Sequence, residues 1–137
     1  MKGILLISHN GLAEAMLETA KMIYGDADKQ IKTIGLKVGE SQESFDKRID
    51  AVIKELDTGE GVIALVDLLG GTPCNRLAKF VGDNLTILTG MNLGMVLETI
   101  VARDNEGLNI NLLLDSSRES IVHYNMLLDT DIEDEIR

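Results

Sequence analysis

The sequence predicts an α/β domain built on a mainly parallel, doubly wound sheet of strand order 2-1-3-4, with helices on both faces. Three observations predict it. Short apolar runs alternate four times with segments of helical periodicity, the pattern of a parallel sheet covered by crossover helices. The first and third runs are apolar throughout, as strands buried on both faces must be, whereas the second is mixed with lysines and suits an edge. Right-handed crossovers then leave few arrangements. The two apolar strands take the middle, and the connection reverses direction between them.

Each element has its own signal. Ile4-Leu5-Leu6-Ile7 reads as the first buried strand, stopping at Ser8-His9-Asn10-Gly11. Leu12, Met16, Ala20 and Ile23 then recur at helical spacing, and Gly25-Asp26 ends that helix. Gln30 to Leu36 is the polar edge strand. Ser41 is a suitable N-cap for a helix through Leu56, whose face holds Phe45, Ile49, Val52, Ile53 and Leu56. Thr58-Gly59 ends it, and Gly61 to Asp67 is the clearest buried strand. After the turn Leu68-Leu69-Gly70-Gly71, Thr72 is expected as N-cap and Pro73 at the first helical position.

Leu85 to Thr89 is a fourth strand. Asn92 caps a helix whose face carries Leu93, Val96, Leu97, Ile100 and Val101. A short helix near Ile110 to Arg118 follows, then a strand from Ile121 to Leu128. The acidic tail from about residue 129 is expected to be loosely held. The six methionines, Met16 and Met95 among them, read mostly as core filler.

At 137 residues the chain has room for one domain, taken as 1–137. No apolar run approaches the ~20 residues that cross a bilayer, and no secretion signal is visible, so neither membrane insertion nor export is expected. Cys74 is alone and cannot form an internal disulfide, which fits a reducing cytoplasm. A net charge of −10 argues against nucleic acid as a partner. The scarcity of aromatics and the absence of Trp argue against base-stacking platforms. The acidity suits a solubilising surface or a basic protein partner.

In open parallel sheets, ligands sit outside the carboxyl ends of the strands, where the connection reverses. Two polar clusters fall there, Ser8-His9-Asn10-Gly11 and Asp67 through Thr72, so topology brings His9 and Asp67 together. Imidazole is a nucleophile near neutral pH, its unperturbed pKa being about 6.5. A carboxylate on the other ring nitrogen fixes the tautomer and stabilises the charge that develops during attack. Gly70, Gly71 and Thr72 add a close-approach turn running into a helix start, which is a natural anion cradle. The Thr72 hydroxyl is able to cap its helix, donate to a phosphoryl oxygen, or change between the two.

Together these features suggest phosphoryl transfer through phosphohistidine. Each alone also suits a bland role: a surface histidine, a turn-capping aspartate, a Gly-Gly-Thr-Pro turn. His123 has no acid placed beside it and reads as structural, as does Cys74 at the start of the third helix. The tail from Asp129 to Glu135 lacks metal-ligand spacing, and no metal or cofactor is expected.

The stretches Ile-Leu-Leu-Ile-Ser-His-Asn-Gly-Leu-Ala (4–13) and Val-Asp-Leu-Leu-Gly-Gly-Thr-Pro-Cys-Asn (66–75) closely resemble the mannose-family IIA domain of the bacterial sugar phosphotransferase system. The resemblance spans the chain in element order and length, and the second motif is the more specific. It implies that His9 accepts a phosphoryl group from the phosphocarrier HPr and passes it to a IIB partner, with the membrane IIC and IID components served indirectly. Asp67 then corresponds to the carboxylate that hydrogen-bonds the active histidine, and Thr72 to its neighbouring hydroxyl residue. Asn10, Gly70, Gly71 and Thr72 are then expected to form the phosphoryl-binding set. The family dimerises by exchanging a C-terminal strand, for which Ile121 to Leu128 is the candidate.

In one respect the sequence departs from the family pattern. Gly commonly follows the active histidine, whereas here Asn10 intervenes before Gly11; Asn tolerates left-handed backbone better than most residues. Two other classes remain open at this level. One is the phosphotransfer subunit of a dihydroxyacetone kinase; the other is a non-catalytic regulatory domain that binds an anion at His9.

Overall fold

The first strand, β1 (Gly3–His9), is buried at every residue but its last. A strand with apolar side chains on both faces needs a neighbour on each edge and helices on each side. β1 has both neighbours, pairing in parallel with β2 (Ile31–Leu36) on one edge and β3 (Val62–Val66) on the other. β3 is buried at all its residues and pairs in parallel with β4 (Leu85–Thr89). The computed structural model, which describes residues 1–25 and 27–128, therefore contains a four-stranded sheet in the order 2-1-3-4, as the sequence predicts. On β2, Ile31 and Ile34 are buried while Lys32 is exposed, as an edge requires.

The pleat sends alternate side chains to opposite faces and so divides the core in two. Ile4, Leu6, Ile63, Leu65 and Leu88 meet helices α1 (Leu12–Ile23), α4 (Leu93–Ala102) and α5 (Ile110–Glu119). Leu5, Ile7, Ile34, Ala64 and Val66 meet α2 (Gln42–Leu56) and α3 (Thr72–Leu77). Caps fix where several helices begin. Ser41 accepts from the Ser44 N–H, Asn92 from Met95 and Asn109 from Leu112, each satisfying a backbone donor that the helix leaves free.

Several expectations are corrected. On α1, Leu12 and Ile23 lie exposed at the two ends, and the residues fully buried against the sheet are Ala13 and Ala20. On α4, Val101 points to solvent, and Met95 and Thr99 are buried instead. The methionines divide evenly: Met16, Met91 and Met95 join the core, whereas Met1, Met22 and Met126 are exposed.

Gly71, not Thr72, is the N-cap of α3, and Pro73 is its second residue. The first helical bond runs from the Asn75 N–H to the Gly71 carbonyl at 2.9 Å, so the helix starts one residue earlier than the Thr-Pro pair suggests. The strand expected from Ile121 to Leu128 does not form. Residues 121–123 have no regular structure and residues 124–128 are helical, with the His123 carbonyl accepting from the N–H groups of Met126 and Leu127. A strand exists only through its ladder; this segment joins no sheet edge among the described residues, and its backbone bonds locally. The expectation of a loose acidic tail lies outside the described residues.

Candidate active site at the switch point

β1 runs two residues further than its apolar core, so that His9 is its last residue, paired with Leu36 of β2. On the other side, Ile7 pairs with Val66, the last residue of β3, and the Asp67 N–H donates to the Ile7 carbonyl. These registers place His9 and Asp67 side by side at the reversal between strands one and three, as the sequence topology requires. Nδ1 of His9 lies 2.8 Å from Oδ2 of Asp67, and the His9 backbone N–H donates to the same oxygen at 2.9 Å. Oδ1 accepts from the Leu68 N–H at 2.9 Å. The carboxylate thus holds both the ring and the main chain of His9.

Burial and charge set the chemistry. The Asp67 side chain is 8% exposed and that of His9 45%. Burial acts to raise the Asp67 pKa; hydrogen bonds from the His9 N–H, the His9 ring and the Leu68 N–H more than offset it, holding the carboxyl below its ordinary value. An ionised carboxylate only accepts hydrogen bonds, so the shared ring proton belongs to Nδ1. Nε2 keeps its lone pair and has no partner among the described residues.

The surrounding loops are held as closely. Asn10 has φ +50°, so the left-handed turn that this departure from the family pattern requires does form. Ser8, fully buried, accepts from the Ala13 N–H at 2.8 Å and donates to the His9 carbonyl at 3.0 Å. It does for α1 what its N-cap Gly11 cannot, since Gly11 offers no side-chain cap. A Cβ at Gly71 would fall 2.9 Å from Cε1 of His9, closer than carbon atoms approach, so only glycine lets this turn lie against the ring. Asn75 Nδ2 donates to the Gly70 carbonyl at 3.0 Å and ties the Gly-Gly turn to α3.

His9, Asn10 and Thr72 line an open cleft of about 410 Å³, whose far wall is the β2–α2 turn of Leu36 to Glu40. A hollow of about 430 Å³ at the opposite end of the sheet, lined by Lys2, Glu60, Asp83 and Glu106, contains no histidine. Among the described residues no cluster of His, Cys, Asp or Glu is arranged to hold a metal ion, and no helix is long and apolar enough to cross a membrane.

The structure therefore gathers His9, Asn10, Asp67, Gly70, Gly71 and Thr72 at one place. Cys74 packs partly buried on the α2 side of the sheet, and His123 is exposed beyond α5. Sequence reasoning gave no role to Ser8, Gly35 or Asn75. Asn75 stood in the quoted motif, and Gly35 carried a signal of its own, since a lone glycine inside a strand marks close backbone approach.

The family model described as "PTS system fructose IIA component" matches residues 3–133. The mannose-specific EIIAB component of Escherichia coli K12 is 34% identical over 105 residues, covering 75% of this chain and 32% of that protein; the chain thus spans about a third of that relative's length. The fructose-specific EIIA component of Bacillus subtilis is 27% identical over 124 residues, covering 88% and 84% of the two chains. Among solved structures, the PTS IIA protein associated with the fucose utilization operon of Streptococcus pneumoniae superposes with a TM-score of 0.84 at 32% identity, covering 93% of this chain and 96% of that one. The mannose/sorbose-specific IIA subunit of Enterococcus faecalis gives 0.76 at 26% identity, covering 89% and 94%.

Proposed function

The chain belongs to the IIA family of the sugar phosphotransferase system, and from that premise we propose that His9 is a phosphoryl carrier loaded by phospho-HPr and unloaded onto a histidine of a IIB protein. The observation that supports this best is the divided imidazole: Nδ1 is bound at 2.8 Å to a buried, ionised Asp67, while Nε2 has no partner among the described residues. In the forward step the Nε2 lone pair attacks phosphorus. The donor's N–P bond breaks, and its electron pair returns to the donor ring. The Nδ1 proton stays in place, and Asp67 balances the positive charge that the His9 ring acquires. Transfer to IIB is the same step with the roles exchanged.

Thr72, Gly70, Gly71 and Asn10 complete the reading as the phosphoryl-binding set. Because Gly71 caps α3, the Thr72 hydroxyl has no capping duty and is available to a phosphoryl oxygen. The N–H groups at the start of α3 and the Asn10 carboxamide are further donors on the same side. The partner in this reading is a protein surface. Leu12 at the start of α1, Val38 on the β2–α2 turn and Leu68 and Leu69 after β3 are all exposed, an apolar surround of the kind that seats another protein. The reading places the chain in the cytoplasm, where it serves the membrane IIC and IID components through IIB.

Homodimer formation belongs to the same proposal. Ile121, Val122, Tyr124 and Leu127 are exposed within one short segment, more apolar surface than a lone chain usually presents in one place. Sedimentation at micromolar concentration should give twice the chain mass of 15.0 kDa; a stable monomer overturns this part. The transfer itself is tested with Enzyme I, HPr and labelled phosphoenolpyruvate on wild type and His9→Ala. Acid-labile, base-stable label on wild type alone is expected. Label retained by His9→Ala removes His9 from the mechanism, and no label on wild type, with an HPr that loads a control IIA, overturns the reading.

A further inference from the structure

Of the glycines, Gly35 near the C-terminal end of β2 lies closest to a neighbouring backbone. A Cβ built on Gly35 would fall 1.9 Å from the Asn10 carbonyl oxygen and 2.9 Å from its carbon. The Asn10 peptide therefore lies directly against the bare Cα of Gly35. It is also fixed from two other directions, since the Asn10 N–H donates to the Leu36 carbonyl at 2.8 Å and φ at Asn10 is +50°. Asn10 follows His9, so this contact sets where β1 ends and where the His9 main chain must lie to reach Asp67.

Gly35 is in turn anchored. Arg48 of α2 donates through Nη1 to the Gly35 carbonyl at 3.1 Å and to both oxygens of Glu40 at 2.8 and 3.0 Å. The Glu40 side chain is 6% exposed and also accepts from the Lys37 N–H at 3.1 Å and the Ser44 hydroxyl at 3.0 Å. Its four contacts close the turn that forms the far wall of the cleft. A charged pair of this kind on an exposed helix contributes little to stability. Here it instead links a helix, a strand end and a turn, all of which abut the His9 loop.

We propose that Gly35, held in place by Arg48, is a positioning residue for His9: the missing side chain lets the Asn10 peptide rest against β2 and so delivers the His9 N–H and ring together to Asp67. This rests on the phosphoryl-carrier reading for its consequence in catalysis but not for its geometry. Any side chain at position 35 forces one of two backbones to move. β2 is held by its ladder, by buried Ile34 and by Arg48, so the Asn10 peptide yields, and His9 shifts with it relative to a carboxylate fixed just past the end of β3.

The test uses the unphosphorylated full chain first. Nitrogen-15 NMR of wild type should show His9 with its proton on Nδ1 and a strongly hydrogen-bonded backbone N–H. In Gly35→Ala the His9 N–H should lose that signature and the ring should become a mixture of tautomers, while Gly82→Ala, where an added Cβ meets nothing within 4 Å, should leave both unchanged. With phospho-HPr at saturation, Gly35→Ala should load about 100-fold more slowly, the scale expected for a reacting group misplaced by about 1 Å, with little change in KM. A folded Gly35→Ala with wild-type His9 resonances and rate overturns the proposal.

Arg48→Met keeps the glycine and removes the anchor, and guards against a Gly35→Ala chain that does not fold. It should move the same His9 resonances in the same direction by a smaller amount, and unmoved resonances in folded Arg48→Met overturn the proposal. A wild type that shows the Nδ1–H ring but never accepts phosphate defeats the carrier reading alone.

Discussion

Replacing Asp67 with asparagine changes one oxygen to an NH2 group and little in volume, which makes it the sharpest probe of the site. Asp67 accepts from three N–H donors: the His9 backbone and Nδ1 through Oδ2, and the Leu68 backbone through Oδ1. Asparagine has one acceptor oxygen and two donors. If the oxygen faces His9, the new NH2 faces the Leu68 N–H and leaves that donor unpaired. If the amide flips, the NH2 opposes the His9 N–H and drives the ring to the opposite tautomer, with the proton on Nε2 and no lone pair there.

Neither orientation satisfies all three donors. In both, the negative charge that faces the developing imidazolium is gone. A hydrogen bond to a charged group contributes about 1.5–3 kcal/mol, which sets the expected fall in transfer rate at about 10- to 150-fold. The assay is rapid-quench loading from labelled phospho-HPr at saturating donor. An unchanged rate would refute the assignment of charge balance to Asp67.

The same substitution makes a prediction about pH and stability. The Asp67 carboxyl is held below its ordinary value in the folded chain, against about 3.9 when unfolded. A depressed carboxyl stabilises the fold above its unfolded pKa and loses that contribution as pH falls through its folded pKa. Wild type should therefore be more stable than Asp67→Asn at pH 6 in urea unfolding, and the gap should narrow below about pH 4. A gap that stays constant with pH would mean that steric or hydrogen-bond changes, not ionisation, account for it.

Two further substitutions separate the site from the fold. Gly71→Ala adds a methyl 2.9 Å from His9 Cε1 and 3.5 Å from Nε2, at a residue whose φ of −75° alanine adopts freely; rapid quench should show loading slowed by about 100-fold, with a thermal midpoint close to wild type. Phe45→Ala empties a fully buried position of α2 on the opposite side of β1 from α1 and should cost about 3–5 kcal/mol of stability in urea unfolding. A cost below about 1 kcal/mol would mean that this half of the core collapses around the gap far more readily than close packing allows.

What the sequence revealed and what it hid divide along physical lines. Strand order was legible because polarity alone separates a doubly buried strand such as β3 from an edge such as β2. The pairing of His9 with Asp67 was legible because the reversal point follows from that order. Helix faces were read less well, for a definite reason. Choosing the largest apolar residues picked Leu12, Ile23 and Val101, which sit at helix ends beyond the cover of the sheet. The α1 positions wholly buried against the sheet are Ala13, which that reading passed over, and Ala20, which it included. The apolar spacing from Ile121 to Leu128 was legible, but a strand also needs a partner edge, and periodicity contains no information about one. Which ring nitrogen meets Asp67 has no sequence signal either; it depends on a rotamer fixed jointly by the His9 N–H, the Leu68 N–H and the Gly71 turn.

That rotamer bears on why the site is open. Under the proposed carrier role, His9 must present one atom to two different proteins in succession, so the site cannot enclose its reactive group as an enzyme acting on a small solute does. Orientation must then come from behind the ring. Here the side facing the protein has a nearly buried carboxylate with three donors, a glycine in contact with Cε1, and a main chain pinned at Ser8 and Asn10. The side facing solvent has Nε2 and a cleft walled by a tethered turn. Preorganisation of that sort persists between encounters, because none of its contacts depends on either partner. Weakening a contact that only orients the ring, at Gly71 or Gly35, should therefore slow receipt and delivery alike, whereas changes at exposed Val38 or Leu69 should alter affinity for one partner at a time. Single-turnover rates measured separately for loading and for unloading would distinguish the two classes, and a substitution at Gly71 or Gly35 that slowed only one direction would contradict the argument.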